Sequence, residues 1–318
     1  MTHDIKHLKK VKHIETRKGM TADDLVREMG KSGVMGAGKI AHAADIAEKA
    51  VSDPKIKLFF GLAGAMVPGG MKQVIIDMLE EGWIDVFVTT GANLTHDLVE
   101  AIGYNHYQGK ANVSDADLNK AGVDRMYDSY MPNNVYEGLE DFFAKNFEKL
   151  QKRGKMNIKE FLWAVGEMVP EGTPSILKTC AKKKIPIFCP AISDSGIGLM
   201  IWGHLAKGKE LEVNVFDDLK EILNMAWDED HKFAVWYCGG GVPKNFIQQA
   251  MQFAPEAAEY GIQITMDRPE PGGSSGANLA EGISWGKMNE KGNFVDVICD
   301  TTIALPLIVA AVKTRLGK

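Results

Sequence analysis

Short apolar runs recur along the chain at 57–62, 84–89, 186–189, 212–216, 233–238, 262–266 and 294–299, each closed by glycine or small polar residues. Uninterrupted runs of this length suit strands buried on both faces, because such strands meet helices above and below. Between them, apolar residues at helical spacing predict helices over 70–81, 94–102, 134–149, 217–225 and 243–253. This alternation predicts an α/β fold, a doubly wound, mostly parallel sheet of about seven strands with Rossmann-like winding. Residues 53–318 are expected to form one α/β domain, and residues 1–52 an N-terminal helical extension in which Thr21, followed by Asp23, Asp24 and Leu25, is an N-cap signal. The span 104–135, rich in Asn, Asp, Tyr and Gly, is expected to be an irregular insertion over the carboxyl edge of the sheet.

With 318 residues, 45% hydrophobic and 25% charged, the chain has the material for a sizeable core. Its 37 basic and 42 acidic residues leave a net charge of −5, so no global basic field exists to hold nucleic acid. The first 15 residues carry His3, Lys6, His7, Lys9, Lys10, Lys12 and His13 without a following apolar segment, which predicts a cytoplasmic protein. The apolar stretch 297–312 is broken by Asp300 and Pro306 and is shorter than the roughly 20 residues a membrane span needs. Cys180, Cys189, Cys238 and Cys299 are widely spaced, without a CxxC pair, and are expected to be reduced and mostly buried. No metal site is expected, since His106, His204 and His231 lack ligand spacing.

In an open parallel sheet, ligands bind beyond the carboxyl ends of the strands. The turns there read Thr89-Thr90-Gly91-Ala92-Asn93, Ala191-Ile192-Ser193-Asp194-Ser195-Gly196, Gly239-Gly240-Gly241, Gly272-Gly273-Ser274-Ser275-Gly276 and Asp300-Thr301-Thr302. Small residues admit close backbone approach, and helix N-termini offer N–H groups to phosphate, so the set points to a nucleotide although none is a strict GxGxxG or Walker A loop. Asp194 and Asp300 are placed to accept hydrogen bonds from ribose hydroxyls, and equally to cap the helices that follow.

The sharpest local pattern is Glu281-Gly282-Ile283-Ser284-Trp285-Gly286-Lys287. A lysine beside an indole and near a carboxylate is placed to be partly desolvated, which frees its amine to form imines. On an α-helical turn Glu281 and Trp285 would share one face, a carboxylate with an aromatic wall that suits an ammonium ligand. The plainer alternative is a surface lysine whose stem lies along a core tryptophan.

The runs 88–98 (VTTGANLTHDL) and 186–194 (PIFCPAISD), the triple glycine leading into Val242-Pro243-Lys244, and Ser275-Gly276-Ala277 leading to Glu281 and Ser284-Trp285-Gly286-Lys287 together resemble the deoxyhypusine synthase family. The resemblance runs from about Ile56 to the C-terminus and includes little of residues 1–52. It implies a transferase that moves the aminobutyl group of spermidine, through an imine on an enzyme lysine, to a lysine of a translation initiation factor precursor. NAD would oxidise the amine and later reduce the product. By position, Lys287 would form the imine, and Glu281, Trp285, Asn245, Gly272, Gly273 and Ser274 would line the polyamine pocket. Thr90, Gly91, Ala92, Asp194, Gly240 and Asp300 fall on positions that hold NAD, with Gly239, Gly241 and Thr301 beside them in the same turns. Family members are homotetramers with sites between paired subunits, a role that would engage the N-terminal helices.

Departures from the best-known eukaryotic members are His96 for a glutamate, Leu199 for an aspartate, Asn245 for a histidine and Ser274 for an aspartate, with Ala65 and Pro68 in the first cofactor-facing turn. A neutral His96, with an ordinary pKa near 6.5, would suit a general base. Because any amine can capture an imine on Lys287, a second reading is a small-molecule aminobutyltransferase that makes homospermidine from putrescine or spermidine, or that uses agmatine. A third is a non-catalytic nucleotide- or polyamine-binding relative, against which the joint presence of Lys287, Trp285 and Glu281 argues.

Overall fold

Thr21 opens helix α1 (Ala22–Ser32) with a capping box: its hydroxyl accepts from the Asp24 N–H while the Asp24 carboxylate accepts from the Thr21 N–H. The helix stops at Gly33, whose φ of 69° is the left-handed cap that glycine adopts without strain. Helix α2 (Met35–Ser52) buries Ala43, Ala44, Ile46 and Ala47. The computed structural model describes residues 8–318, and of these residues 8–20 form neither helix nor strand. Among the described residues the predicted extension is thus helical from Ala22 onward, because the stretch 8–20 has too little apolar surface to hold a helix against a core. Its first seven residues, including His3, Lys6 and His7, lie outside the described residues.

The first α/β units follow as β1 (Ile56–Leu62), α3 (Lys72–Glu80), β2 (Val86–Thr89) and α4 (Gly91–Ala101). The insertion is more ordered than expected: β3 (Tyr107–Gln108), a short helix α5 (Asp115–Lys120), β4 (Val123–Met126) and β5 (Ser129–Pro132) make a three-stranded antiparallel sheet in the order β3-β5-β4. Strands of two to four residues are too short to print an alternation on the sequence.

The chain continues through α6 (Val135–Gln151), β6 (Met156–Asn157), α7 (Ile158–Met168), α8 (Ile176–Lys183), β7 (Ile187–Phe188) and α9 (Gly196–Ala206). It then forms β8 (Val213–Asn214), α10 (Val215–Ala226), β9 (Lys232–Cys238), α11 (Gly241–Gln252), β10 (Ala258–Thr265), β11 (Met288–Ile298) and α12 (Thr301–Arg315). Six strands form the main sheet in the order β11-β10-β9-β1-β2-β7, and every neighbouring pair is parallel. The predicted seventh strand, 212–216, is not in it: only β8 is extended, pairing with β6 in a separate two-stranded ladder. Asn214 caps α10 by accepting from the Phe216 N–H, and Asp217 and Asp218 in the first turn favour the helix, so Val215 and Phe216 are helical.

Successive strand residues alternate between two cores. Phe60 and Trp236 face the larger, with α2, α4 and α12, while Phe59, Val235 and Tyr237 face the smaller, with α10 and α11. This is the doubly wound arrangement, with apolar layers on both faces of one sheet. Buried carboxylates lock layers together. Asp97 of α4 accepts from the backbone N–H groups of Ile176 and Leu177 at the start of α8, and Asp218 of α10 does the same for Ile158 and Lys159 of α7. Cys180, Cys189 and Cys238 are buried free thiols and Cys299 is half-buried. No helix among the described residues is long and apolar enough to cross a membrane.

Candidate active site

The turns at the carboxyl edge pack against each other as well as facing outward. A Cβ on Gly91 would stand 2.4 Å from Cβ of Ser195, and one on Gly240 would stand 2.2 Å from Cα of Ser275, so these glycines let neighbouring turns touch. Asn93 joins two more: its Oδ1 accepts from the N–H groups of Met66 (3.1 Å) and Val67 (3.3 Å), and its Nδ2 donates to the hydroxyl oxygens of Thr89 and Thr90, both at 3.3 Å. Thr90 also caps α4.

Beyond β1 and β11 opens a cleft of about 950 Å³, walled by Gly69, Gly70, Glu100, His106, Tyr127 and Asp300 among others. Asp300 both caps and faces it. Its Oδ1 accepts from Thr302 N–H (2.7 Å) and hydroxyl (2.8 Å), while Oδ2 has no partner among the described residues. Asp300 is the one predicted cofactor residue on this wall; Thr90, Gly91, Ala92, Asp194, Gly239, Gly240 and Thr301 are not on it, and Gly241 opens into a smaller hollow with Asn245 and Ser274. Asp194 is exposed and caps nothing, since Ser195 caps α9 instead. An unpartnered carboxylate oxygen, an acceptor for ribose hydroxyls, lies beside a glycine turn and the N-terminus of α12, which suits phosphate, and together they fit a dinucleotide.

A second cleft, about 580 Å³, brings together Lys244, Asn245, Gly272, Ser274, Glu281, Trp285 and Lys287, while Gly273 lies off its wall. The helix before Lys287, Leu279–Trp285, is a 3-10 helix, so Ser284 rather than Trp285 stacks over Glu281 and donates to its carbonyl at 2.9 Å. Glu281 and Trp285 therefore do not share a helical face as predicted, yet both reach the cleft. Gly286, at φ 70°, turns the chain, and the Lys287 N–H donates to the Gly282 carbonyl at 2.8 Å. Its ammonium lies 4.8 Å from the centre of the Trp285 ring. Lys287 is half-buried, whereas Trp285 is 56% exposed, so the indole shields only one side of the amine within a single chain.

The buried lysine of this cleft is Lys244, a residue for which the motif reading assigned no role. It is 6% exposed, and its Nζ donates to the carbonyls of Ser274 (2.6 Å) and Ala277 (2.7 Å). Burial pushes its pKa down to about 8, against the pull of Asp296 and Glu281. A lysine in the first turn of a helix opposes the helix dipole, and that misplacement was the available signal.

His96 on α4 is not part of this cleft. The core residues of α4 join the larger core and those of α11 the smaller, and β2 lies four places from β11, about 19 Å at ordinary strand spacing. His96 Nδ1 lies 2.9 Å from Nε2 of His106, whose Nδ1 is 2.7 Å from Glu100 Oε1; Glu100 Oε2 is 2.5 Å from Lys72 Nζ. Burial first, and then the neighbouring His106, push the His96 pKa down to about 4, which corrects the expectation of an ordinary value suited to a base. Leu199 is 56% exposed on an apolar groove with Trp202 and Leu205, away from Lys287.

A family model described as deoxyhypusine synthase matches residues 24–312. The curated "Probable deoxyhypusine synthase" of Methanosarcina thermophila is 44% identical over 308 residues, covering 97% of this chain and 96% of that one. "Probable deoxyhypusine synthase 1" of Archaeoglobus fulgidus is 37% identical over 304 residues, covering 96% and 98%. Among solved structures, a candidate deoxyhypusine synthase from Entamoeba histolytica superposes with a TM-score of 0.61 at 19% identity, covering 95% of this chain and 96% of that one, a likeness of fold.

Proposed function

The chain belongs to the deoxyhypusine synthase family of transferases, and from that premise we propose that it moves the aminobutyl group of spermidine to a lysine of a translation initiation factor precursor, with NAD as a cofactor that is not consumed. The observation that carries this reading is the cleft around Lys287. It holds two lysines, and the amine of Lys244 is committed to two backbone carbonyls. The side-chain amine of Lys287 has no hydrogen-bond or ion-pair partner among the described residues and lies against the face of Trp285. Lys287 is therefore the amine in this cleft that is available to form an imine.

Around it, Trp285 offers a π-face to a cationic chain and Glu281 supplies a countercharge. Asn245 and Ser274 add neutral hydrogen-bonding groups, and Gly272 leaves room. The chemistry that NAD supplies when bound is acceptance of a hydride from the amine and its return to the product. Asp300, through Oδ2, is the residue best placed to hold it, with Thr90, Gly91, Ala92, Asp194, Gly239, Gly240, Gly241 and Thr301 along the same edge.

In one chain, Lys287 and His96 belong to different layers, Trp285 is largely uncovered, and Trp202 is 66% exposed on an apolar groove. These features support association of paired chains that complete each other's sites, in keeping with the homotetramer that the family resemblance implies. The test is incubation with NAD, labelled spermidine and the factor precursor. Label on the protein is expected; label only in a new polyamine, or none, contradicts the reading.

A further inference from the structure

A two-residue turn joins β4 to β5: Met126 pairs with Ser129, and Tyr127 and Asp128 lie between them. Tyr127 has a φ of 56°, whereas Asp128 is not left-handed. Left-handed backbone at the first turn position but not at the second is a place that glycine fills in hairpins, and a bulky aromatic residue there is strained. The surrounding chain holds that strain in place. Arg125, fixed by two bonds to the Asp115 carboxylate, donates from Nη1 to the Tyr127 carbonyl at 3.1 Å, and the Gly109 N–H donates to the Asp128 carbonyl at 2.7 Å. No packing offsets it: Tyr127 is 80% exposed, and its hydroxyl has no hydrogen-bond partner among the described residues. Strain kept without a packing gain is a mark of binding sites.

The ring borders a cavity. Tyr127 lies on the wall of the cleft of about 950 Å³ that also holds Gly69, Gly70 and Asp300. Gly70, at φ 83°, has nothing within 4 Å of where a Cβ would stand, so the turn after β1 presents bare backbone. A π-face from the insertion and bare backbone from that turn suit a flat ring. Gln108 and Asp128, on the same wall, offer acceptors to an exocyclic amine. A ring that exchanges hydride needs a site closed to water, which a residue as exposed as Tyr127 does not provide.

We propose that Tyr127 is a specificity-determining residue of this cleft, its ring stacking on the adenine of the dinucleotide while Asp300 accepts from a ribose hydroxyl. This deepens the reading above and rests on it for the identity of the cofactor. The strained turn aims the aromatic ring, and an unstrained glycine there would leave the base without a face to stack on.

The test is calorimetric titration of the full-length wild type, Tyr127→Gly and Tyr127→Phe with ADP-ribose and with nicotinamide mononucleotide, alongside urea unfolding of each protein. Glycine releases the strain, so Tyr127→Gly is expected to unfold at a urea midpoint no lower than the wild type. Its Kd for ADP-ribose is expected to rise at least about fivefold, the low end of what base–aromatic stacking is worth, while Tyr127→Phe, which keeps the π-face, stays within about twofold of the wild type. Binding of the mononucleotide is expected to be the same in all three. Unchanged ADP-ribose binding by Tyr127→Gly, an equal loss in Tyr127→Phe, weakened mononucleotide binding or a lowered urea midpoint overturns the proposal. A wild type that does not bind ADP-ribose overturns it together with the assignment of NAD. Calorimetry needs no turnover, so a wild type that binds ADP-ribose through Tyr127 yet transfers no aminobutyl group counts against the proposed function alone.

Discussion

Lys244 and Ser274 are joined across the site: the buried ammonium of the first donates to the backbone carbonyl of the second at 2.6 Å, and to that of Ala277 at 2.7 Å. The side chain straps the glycine-rich loop after β10 onto the first turn of α11, and with it one wall of the cleft around Lys287.

Removing the strap should loosen that wall without unmaking the fold. Lys244→Met keeps the stem and loses two charge-assisted bonds, each worth about 1.5–3 kcal/mol. Transfer is expected to fall at least tenfold, with NAD binding retained by calorimetry. Unchanged transfer would show that the loop holds its place without Lys244.

Gly240→Ala tests whether the triple glycine exists for turn-to-turn contact. The added methyl would meet Ser275 Cα, a backbone atom, at 2.2 Å, and overpacking of this kind costs about 1–3 kcal/mol. A stability lowered by that much, read from the shift in denaturant midpoint, is expected, together with loss of transfer, because Ser275 neighbours the wall residue Ser274.

Much of this was legible beforehand. The six main-sheet runs, the two-faced burial and the grouping of Glu281, Trp285 and Lys287 all followed from apolar runs and one dense motif. What escaped was set by contacts distant in sequence. Lys244 is defined by carbonyls 30 and 33 residues away. The 212–216 run has strand-like composition, but the Asn214 cap turned it to helix. Likewise, the His96 pKa follows from burial and from His106, neither of which is written next to it.

Asp218 links stability to pH. Burial pushes its carboxyl up to about 7 from an ordinary 3.8, although the N–H groups of Lys159 and Ile158 oppose the rise. The folded state therefore binds a proton that the unfolded state has released between those values, so this stabilisation is full in acid and is lost as pH rises through about 7. Asp218→Asn removes the titration and one of two acceptors, at a cost of about 1–3 kcal/mol. Its penalty, read from urea midpoints, should be larger at pH 5 than at pH 8; an equal penalty would contradict the shift.

The central claim concerns the amine of Lys287, and trapping tests it most directly. Wild-type protein incubated with NAD and spermidine, then reduced with borohydride and digested, should carry one aminobutyl adduct on the peptide containing Lys287, and Lys287→Arg should carry none, since a guanidinium forms no such imine. An adduct on Lys244 or another lysine, or full transfer by Lys287→Arg, would contradict the account.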